Sequence, residues 1–189
     1  MFGRIDILIH NAGLVVFEAI ETIDEAHYQR MLDVHVNAPF WLAQAAMPHM
    51  RTQGYGRIVL STSGRALNLD GAVPQLSTYN IVKMAQIGLM NALAAEGRDD
   101  GIRANAISPV AATRMLRRSV EPGTFTPEQV APGVAYLTSR GCDLNGVLLH
   151  AGNGRFSLMN LQATEPRSFS GGGLTPEAVG AWLETATAP

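Results

Sequence analysis

Short runs of branched apolar residues alternate with longer helical stretches over residues 1–155. The runs are IDILIH (5–10), RIVLS (57–61), IRANAIS (102–108) and GVLLHA (146–151). Because none of them alternates strictly between apolar and polar residues, we predict strands that are covered on both faces. Strands that alternate with helices favour a parallel sheet with crossover helices, which is an α/β fold in three layers.

The first long helix is predicted to run from about residue 22 to residue 50. Thr22 and Glu25 have the spacing of a capping box at its start. Pro39 falls inside the helix, where it removes a backbone hydrogen bond and clashes with the carbonyl of His35, so we expect a kink. We expect Pro48 to disturb or end the last turn.

The second long helix is predicted over residues 77–97. It is apolar on nearly all sides, so both of its faces should be buried. One face would pack on the sheet and the other on a helix of a second subunit, with Gly88 allowing close approach. We therefore predict a homodimer or homotetramer that assembles through helices 22–52 and 77–97.

The remaining chain is less regular. Residues 108–126 form a long connection, after which Thr126 and Pro127 predict a helix start and a helix to about residue 140. A glycine-rich break at 170–174 precedes a short terminal helix that starts at Thr175. We divide the chain into a main domain, 1–155, and a tail, 156–189.

Composition narrows the possible functions. The chain is 47% hydrophobic and 16% charged with a net charge of −2, which fits a globular domain and excludes the basic footprint of nucleic-acid or anionic-membrane binding. A single cysteine, Cys142, fits a reducing compartment. We expect a soluble, cytoplasmic protein without a membrane span, and we predict no metal site.

Tyr79 and Lys83 stand out in the second helix, and Lys83 is the only lysine among 189 residues. Residues four apart on a helix have Cβ atoms about 5–6 Å apart. A cation at that distance can lower the pKa of a phenol by roughly 1–3 units, towards the range useful for proton transfer. Such pairs also arise by chance, and the scarcity of lysine can reflect codon bias alone.

A cluster of hydroxyl side chains follows the second strand, at Ser61, Thr62 and Ser63. Ligands bind in the crevice at the carboxyl ends of parallel strands, where Ser63 could donate a hydrogen bond to a substrate carbonyl. Without the Tyr79–Lys83 pair, ordinary loop capping would be the better interpretation of these hydroxyls.

Several features coincide in order along the chain: Asn11-Ala12-Gly13 after the first strand, Asn37 in the first helix, Ser63, and then Tyr79 with Lys83. This combination resembles the short-chain dehydrogenase/reductase family over residues 1 to about 155. The resemblance implies a Rossmann-like fold and an NAD- or NADP-dependent enzyme that interconverts a hydroxyl and a keto group on a small-molecule substrate.

The resemblance also implies a role for each site residue. Tyr79 would transfer the proton, Ser63 would hold the reacting oxygen, and Lys83 would lower the pKa of Tyr79 and bind the nicotinamide ribose. Asn37 would hold the kinked helix and a water that links Lys83 to solvent; the alternative interpretation is a satisfied polar group in a bent helix. The implied cofactor contacts are Asn11, Ala12, Gly13, Tyr79, Lys83, Pro109, Val110 and Thr113.

The segments after the third strand narrow the resemblance. Residues 108–115 and 126–155 are similar to the (3R)-hydroxyacyl-CoA dehydrogenase domain of the multifunctional β-oxidation enzyme and to its stand-alone bacterial relatives, which implies a 3-hydroxyacyl thioester as substrate. Two features depart from the family pattern. Pro109-Val110 replaces the usual Pro-Gly, and the loop between Ser63 and Tyr79 is longer than usual.

The family's glycine-rich phosphate-binding turn, T-G-x-x-x-G-x-G, does not occur in this sequence. The nearest imitation, Gly152-Asn153-Gly154, is interpreted as a turn after the last strand. The fold is therefore expected to lack the family's first strands, which leaves IDILIH as an exposed apolar edge. We expect this chain alone to bind NAD(H) or NADP(H) weakly.

Two functional hypotheses follow. In the first, the chain is the C-terminal part of a working NAD(P)-dependent oxidoreductase. In the second, it is a non-catalytic chain that acts as an oligomer or binding partner. The complete set of Asn37, Ser63, Tyr79 and Lys83 favours the first hypothesis, because a chain without catalysis has no physical need for all four.

Overall fold

One mainly parallel sheet organises the molecule. The computed structural model describes residues 3–67, 73–115 and 119–186. Within these residues, five strands lie side by side in chain order: β1 (Ile7–His10), β2 (Gly56–Ser61), β3 (Ile102–Val110), β4 (Leu148–Gly152) and β5 (Arg155–Met159). Strands β1 to β4 are parallel, as predicted, and β5 runs antiparallel to β4.

The fifth strand was not predicted. Gly152-Asn153-Gly154 forms the predicted turn, with positive φ angles of 51° at Asn153 and 71° at Gly154. Two successive residues with positive φ are typical of a tight β-hairpin, so the chain returns along β4. Most of β5 is exposed, which explains why its sequence lacks the apolar run that marks the other strands.

Helices cover both faces of the sheet, which confirms the three-layer α/β prediction. The described helices are α1 (Glu25–Leu32), α2 (Ala38–Gln53), α3 (Ser77–Glu96), α4 (Ala131–Thr138) and α5 (Pro176–Ala186). Ile58 and Leu60 of β2 pack with α2 and α3, whereas Val59 between them packs with α4. All six residues of β2 are buried, so this strand forms the centre of the core.

The first helix differs from its prediction at the start. Asp24 is the N-cap, with its carboxylate accepting from the backbone N–H groups of Ala26 and His27. The hydroxyl of Thr22 instead donates to the carbonyl of Ala19. The predicted capping box at Thr22 is therefore wrong, because Asp24, two residues later, is an equally good cap.

A π-helical turn, Asp33–Asn37, separates α1 from α2. It ends two residues before Pro39 and contains His35, whose carbonyl would clash with the proline ring in a regular α-helix. Pro39 falls in the first turn of α2, where its missing N–H leaves no gap. Pro48 does not end the helix, which continues to Gln53 and is capped by Gly54.

Helix α3 matches its prediction closely, with Gly97 as its C-cap. One face is buried against the sheet, while Ile81 is 50% exposed and Met84 is 36% exposed on the other. A Cβ atom on Gly88 would meet nothing within 4 Å. This second face is therefore uncovered in the single chain, and its contact with another subunit stays a prediction.

The chain divides into two compact units, one up to Met159 and one from Asn160 onward. The first unit includes β5, since its backbone pairs with β4. It also includes the turn at Thr126, which forms a capping box with Gln129 before α4 begins. The second unit contains α5. Across the residues that the structure describes, no helix is both long and apolar enough to cross a membrane.

Candidate active site

Polar side chains gather where β1 and β2 end at the same edge of the sheet. Ser61, the last residue of β2, donates its hydroxyl to Oδ1 of Asn11, with an O–O distance of 3.0 Å. Thr62 donates its hydroxyl to the carbonyl of Lys83 at 2.6 Å. Because Thr62 is only 3% exposed, this hydrogen bond fixes α3 against the end of β2.

Ser63, Tyr79 and Lys83 come together at this edge, as the sequence predicts. Lys83 Nζ lies 5.6 Å from the centroid of the Tyr79 ring, so the two side chains share one face of α3. The hydroxyl of Ser63 lies near that of Tyr79 and acts to lower its pKa. The arrangement brings a proton donor, a second hydroxyl and an ammonium together at the carboxyl edge of the sheet.

The acidity of Tyr79 differs from the sequence-based expectation. Burial raises the pKa of Tyr79 above its usual value, and the Ser63 hydrogen bond and the charge of Arg65 oppose this only in part. Lys83 contacts the ring, and its ammonium bonds elsewhere. Tyr79 is therefore a protonated phenol at neutral pH, and the net shift of its pKa is opposite to the lowering that the sequence predicts.

The Lys83 ammonium is held by two acceptors. It donates to the carbonyl of Ser61 at 2.7 Å and to Oε1 of Gln86 at 3.2 Å. Burial lowers the pKa of Lys83 to about 8, so the amine stays mostly charged at neutral pH. An ammonium has three N–H donors, and these two bonds leave one of them for a ligand hydroxyl.

Asn37 does not turn its side chain towards Tyr79 or Lys83. It is exposed, and its Nδ2 donates to Oδ1 of Asp33 at 2.8 Å. This hydrogen bond spans the π-helical turn from its first residue to its last. This geometry matches a satisfied polar group in a bent helix, which is one of the two interpretations that the sequence allows, and the water link to Lys83 stays a prediction.

The other predicted cofactor residues lie in loops after the strands. Asn11, Ala12 and Gly13 are exposed directly after β1. Pro109 and Val110 end β3, and Val110 lines a cavity of about 630 Å³ on the β4–β5 side of the sheet. The remaining residue of this set, Thr113, is exposed in the loop that follows, where its hydroxyl accepts from the backbone N–H of Met115.

Sequence reasoning missed His35, which is fully buried beneath the site. Its ring meets Tyr79 edge-on with centroids 6.4 Å apart. Its Nε2 lies 2.9 Å from the carbonyl of Leu14, and a Cβ atom on Gly13 would come within 3.0 Å of its Cε1. His35 therefore supports both the tyrosine and the loop after β1.

Burial, reinforced by the charge of Lys83, lowers the pKa of His35 to about 4. The imidazole is consequently neutral at physiological pH. A histidine on the helix before Asn37 was visible in the sequence. Its contact with the loop at Leu14 depends on the tertiary fold.

The site suits the nicotinamide end of a dinucleotide in its chemistry. Lys83 has a donor to spare for a ribose hydroxyl, Ser63 and Tyr79 provide hydroxyls for a carbonyl, and the loop at residues 11–13 exposes backbone next to them. The sequence contains no glycine-rich turn for the pyrophosphate. The residues present thus fit one half of such a cofactor.

Comparisons with known proteins point to the same chemistry. The model of the short chain dehydrogenase family matches residues 1–122. The peroxisomal multifunctional enzyme type 2 of Drosophila melanogaster is 36% identical over 156 residues, which cover 81% of this chain and 26% of the fly protein.

Two solved structures have the same fold. A short chain dehydrogenase from Mycobacterium avium superposes with a TM-score of 0.82 and 28% identity, covering 97% of this chain and 65% of that one. A 4-hydroxyisoleucine dehydrogenase complexed with NADH and succinate superposes with a TM-score of 0.67 and 27% identity, covering 80% of this chain and 69% of that one. The chain thus spans about a quarter of the fly protein and just under two thirds of the M. avium protein.

Proposed function

The chain belongs to the short-chain dehydrogenase family, and on that premise we propose that it forms the catalytic part of an NAD(P)-dependent oxidoreductase. The reaction interconverts a hydroxyl and a keto group. The observation that carries the proposal is the contact of Ser63 with Tyr79 beside the Lys83 ammonium, at the carboxyl edge of a parallel sheet.

The chain's own residues would move the proton. Tyr79, a protonated phenol at neutral pH, donates its phenolic proton to the carbonyl oxygen of a keto substrate. Ser63 donates a hydrogen bond to the same oxygen and stabilises the charge that develops there. In the oxidative direction the same two hydroxyls hold the alcohol, and Tyr79 must first lose its proton.

A bound nicotinamide would supply or accept the hydride. Lys83 would bind a ribose hydroxyl with the N–H that Ser61 and Gln86 leave available. Asn37 would maintain the bend of the helix through Asp33. The loop residues assigned to cofactor contact are Asn11, Ala12, Gly13, Pro109, Val110 and Thr113.

The substrate is proposed to be a 3-hydroxyacyl thioester or its 3-keto counterpart. The support comes from the resemblance of residues 108–115 and 126–155 to hydroxyacyl-CoA dehydrogenase domains. The non-catalytic alternative has less support, because an assembly partner gains nothing from clustering Ser63, Tyr79 and Lys83. The choice between NAD and NADP is open, because the family makes it after a second strand that has no counterpart in this sequence.

The assembly is proposed to be a homodimer or homotetramer through α2 and α3. Apolar side chains on both helices are at least one third exposed in the single chain: Phe40, Trp41, Leu42, Ile81 and Met84. Exposed large apolar side chains on one protein mark an interaction surface more often than scattered single ones do. A cytoplasmic location is supported by the single cysteine alone.

A cofactor-oxidation screen tests the proposed function. The polypeptide would be extended upstream of Met1 until it includes a glycine-rich strand–helix unit, and NADH and NADPH absorbance would be followed with 3-ketoacyl thioesters and simple ketones. We expect reduction of at least one 3-ketoacyl thioester. If no keto compound is reduced by a folded protein that binds the cofactor, the proposed activity is wrong.

A further inference from the structure

Three buried polar side chains form a row beneath the candidate site. Lys83 is 4% exposed, Gln86 1% and His10 3%. Lys83 Nζ donates to Oε1 of Gln86 at 3.2 Å, and Nε2 of Gln86 lies 3.4 Å from Nδ1 of His10. The row connects α3 to the last residue of β1.

Chemistry fixes the direction of both hydrogen bonds. An ammonium can only donate, so the amide of Gln86 must turn its oxygen to Lys83 and its NH₂ group to His10. Nδ1 of His10 must then accept, which places the histidine proton on Nε2. Only a neutral His10 can complete the row.

The surroundings keep His10 neutral. Its pKa is lowered by burial first and by the charge of Lys83 second. The other titratable side chains that face Lys83 are His35, on the π-helical turn, and Tyr79, on α3. His35 is also neutral, so the ammonium is the only positive charge in this cluster at neutral pH.

An apolar residue would be the less costly choice at a helix position as buried as that of Gln86. Burying an amide is unfavourable unless it is hydrogen-bonded. The carbonyl of Ser61 provides one acceptor for the ammonium from the backbone. Gln86 provides the second, and a buried cation that loses an acceptor loses much of its stabilisation.

We propose that Gln86, oriented by His10, is a positioning residue that holds the Lys83 ammonium charged and in place at the carboxyl end of the sheet. The inference rests on the proposed role of Lys83 at a cofactor ribose. The test of this inference requires no turnover. The role of Gln86 can therefore be disproved while the proposed function stands, and the proposed function can be disproved while the role of Gln86 stands.

The single lysine makes the test direct. Labelling with ¹³C- and ¹⁵N-lysine gives one side-chain spectrum, and the pH titration of the Lys83 ε-carbon shift measures its ionisation in the folded 189-residue chain. Gln86→Met keeps the length of the side chain and removes the acceptor. Loss of a hydrogen bond to the ammonium favours the neutral amine, so the acid dissociation constant of Lys83 should rise roughly 10- to 100-fold.

A matched control and two further variants separate positioning from general disturbance. Gln44, exposed on α2, provides the control, and Gln44→Met should leave the Lys83 titration unchanged. Gln86→Glu keeps the shape and adds a negative charge, so it should shift the titration in the opposite direction from Gln86→Met. His10→Phe should shift it in the same direction as Gln86→Met, but by less.

The outcomes decide the proposal. A titration in folded Gln86→Met that matches that of the parent protein overturns the role of Gln86. If Gln86→Met does not fold, the Gln86→Glu variant decides instead. A Lys83 pKa in Gln86→Glu that is unchanged or lowered overturns the role of Gln86. An unchanged titration in His10→Phe overturns the orienting role of His10.

Discussion

Lys83 and Tyr79 lie one helical turn apart, with the ammonium nitrogen of Lys83 5.6 Å from the centroid of the Tyr79 ring. Burial acts on the two groups in opposite directions. It raises the pKa of the phenol and lowers the pKa of the amine to about 8. At neutral pH the pair therefore consists of a neutral phenol and a cation, which is the state required to protonate a carbonyl.

Loss of the phenol tests this assignment. In the upstream-extended protein, Tyr79→Phe should lower kcat for keto reduction by about 10²–10⁴, the usual contribution of one proton-transfer group. Cofactor affinity should change little, since the ring and Lys83 remain. Steady-state kinetics and cofactor titration measure the two effects. Tyr136→Phe, on an exposed position of α4, is the control, and parental turnover in Tyr79→Phe would remove the tyrosine from its role.

The buried amine predicts a pH dependence of stability. Because the pKa of Lys83 falls from 10.5 to about 8 on folding, the unfolded chain binds this proton more tightly, and stability from this group rises with pH between those values. Lys83→Met removes the effect. The stability of the variant relative to the parent should therefore be about 2–3 kcal/mol greater at about pH 7 than at about pH 10.

Urea denaturation of both proteins across that range provides the measurement. The ionisation of tyrosines occurs in both proteins and cancels in the comparison. Stability curves that run parallel from neutral to alkaline pH would mean that Lys83 does not bear a buried charge.

His35 predicts a second dependence, at acid pH. Its pKa falls from 6.5 to about 4 on folding, so the neutral ring is favoured in the folded state, and stability is lost as the pH falls below 6.5. His35→Gln should remove about 2 kcal/mol of the loss between about pH 7 and about pH 4.5. His49→Gln, at an exposed position of α2, controls for the removal of one histidine, and an equal effect in the two variants contradicts the prediction.

Gly54 and Gly101, which both have positive φ angles, provide a test of backbone packing away from the site. Gly54 has a φ of 63° and open space around it, whereas a Cβ atom on Gly101, with a φ of 72°, would overlap the carbonyl oxygen of Gly54. Gly54→Ala should cost roughly 1–2 kcal/mol of backbone strain. Gly101→Ala should cost about 1–3 kcal/mol more, because the backbone must also move. If urea denaturation shows equal losses of stability in the two variants, the backbones at Gly54 and Gly101 do not approach each other this closely.

The uncovered face of α3 predicts the behaviour of the assembly. Ile81→Arg puts a charge at the centre of that face and should shift the protein towards monomer in sedimentation-velocity experiments, since an unpaired buried charge is costly at an interface. Ile20→Arg is the matched control, because Ile20 is 72% exposed outside both helices. Unchanged sedimentation of Ile81→Arg would rule out this face as the interface.

The sequence predicted most of the fold because its signals are local. Branched apolar runs marked β1 to β4, and the apolar stretch before Gly97 marked α3 to within a residue. The errors arose where two local solutions are equally good, as with Asp24 and Thr22 as caps. The β4–β5 hairpin was missed because an exposed strand carries no apolar run.

The site was predictable in its members and less so in its electrostatics. Helical spacing brings Tyr79 and Lys83 together, but it does not say how deeply they are buried, and burial decides the sign of the pKa shift at Tyr79. His35 and the His10–Gln86 contact depend on how β1 and the π-helical turn pack against α3. Such long-range contacts leave no periodic pattern in the sequence.

The burial of Lys83 has a practical consequence for handling this protein. Since it is the only lysine and is only 4% exposed, reagents such as N-hydroxysuccinimide esters should react with the α-amino group of the folded chain well before they react with the Lys83 amine. Acylation of the ε-amine then requires an opening of the fold. In intact-mass spectrometry, a molecule that has opened carries a second adduct, so the fraction of doubly labelled chains measures opening.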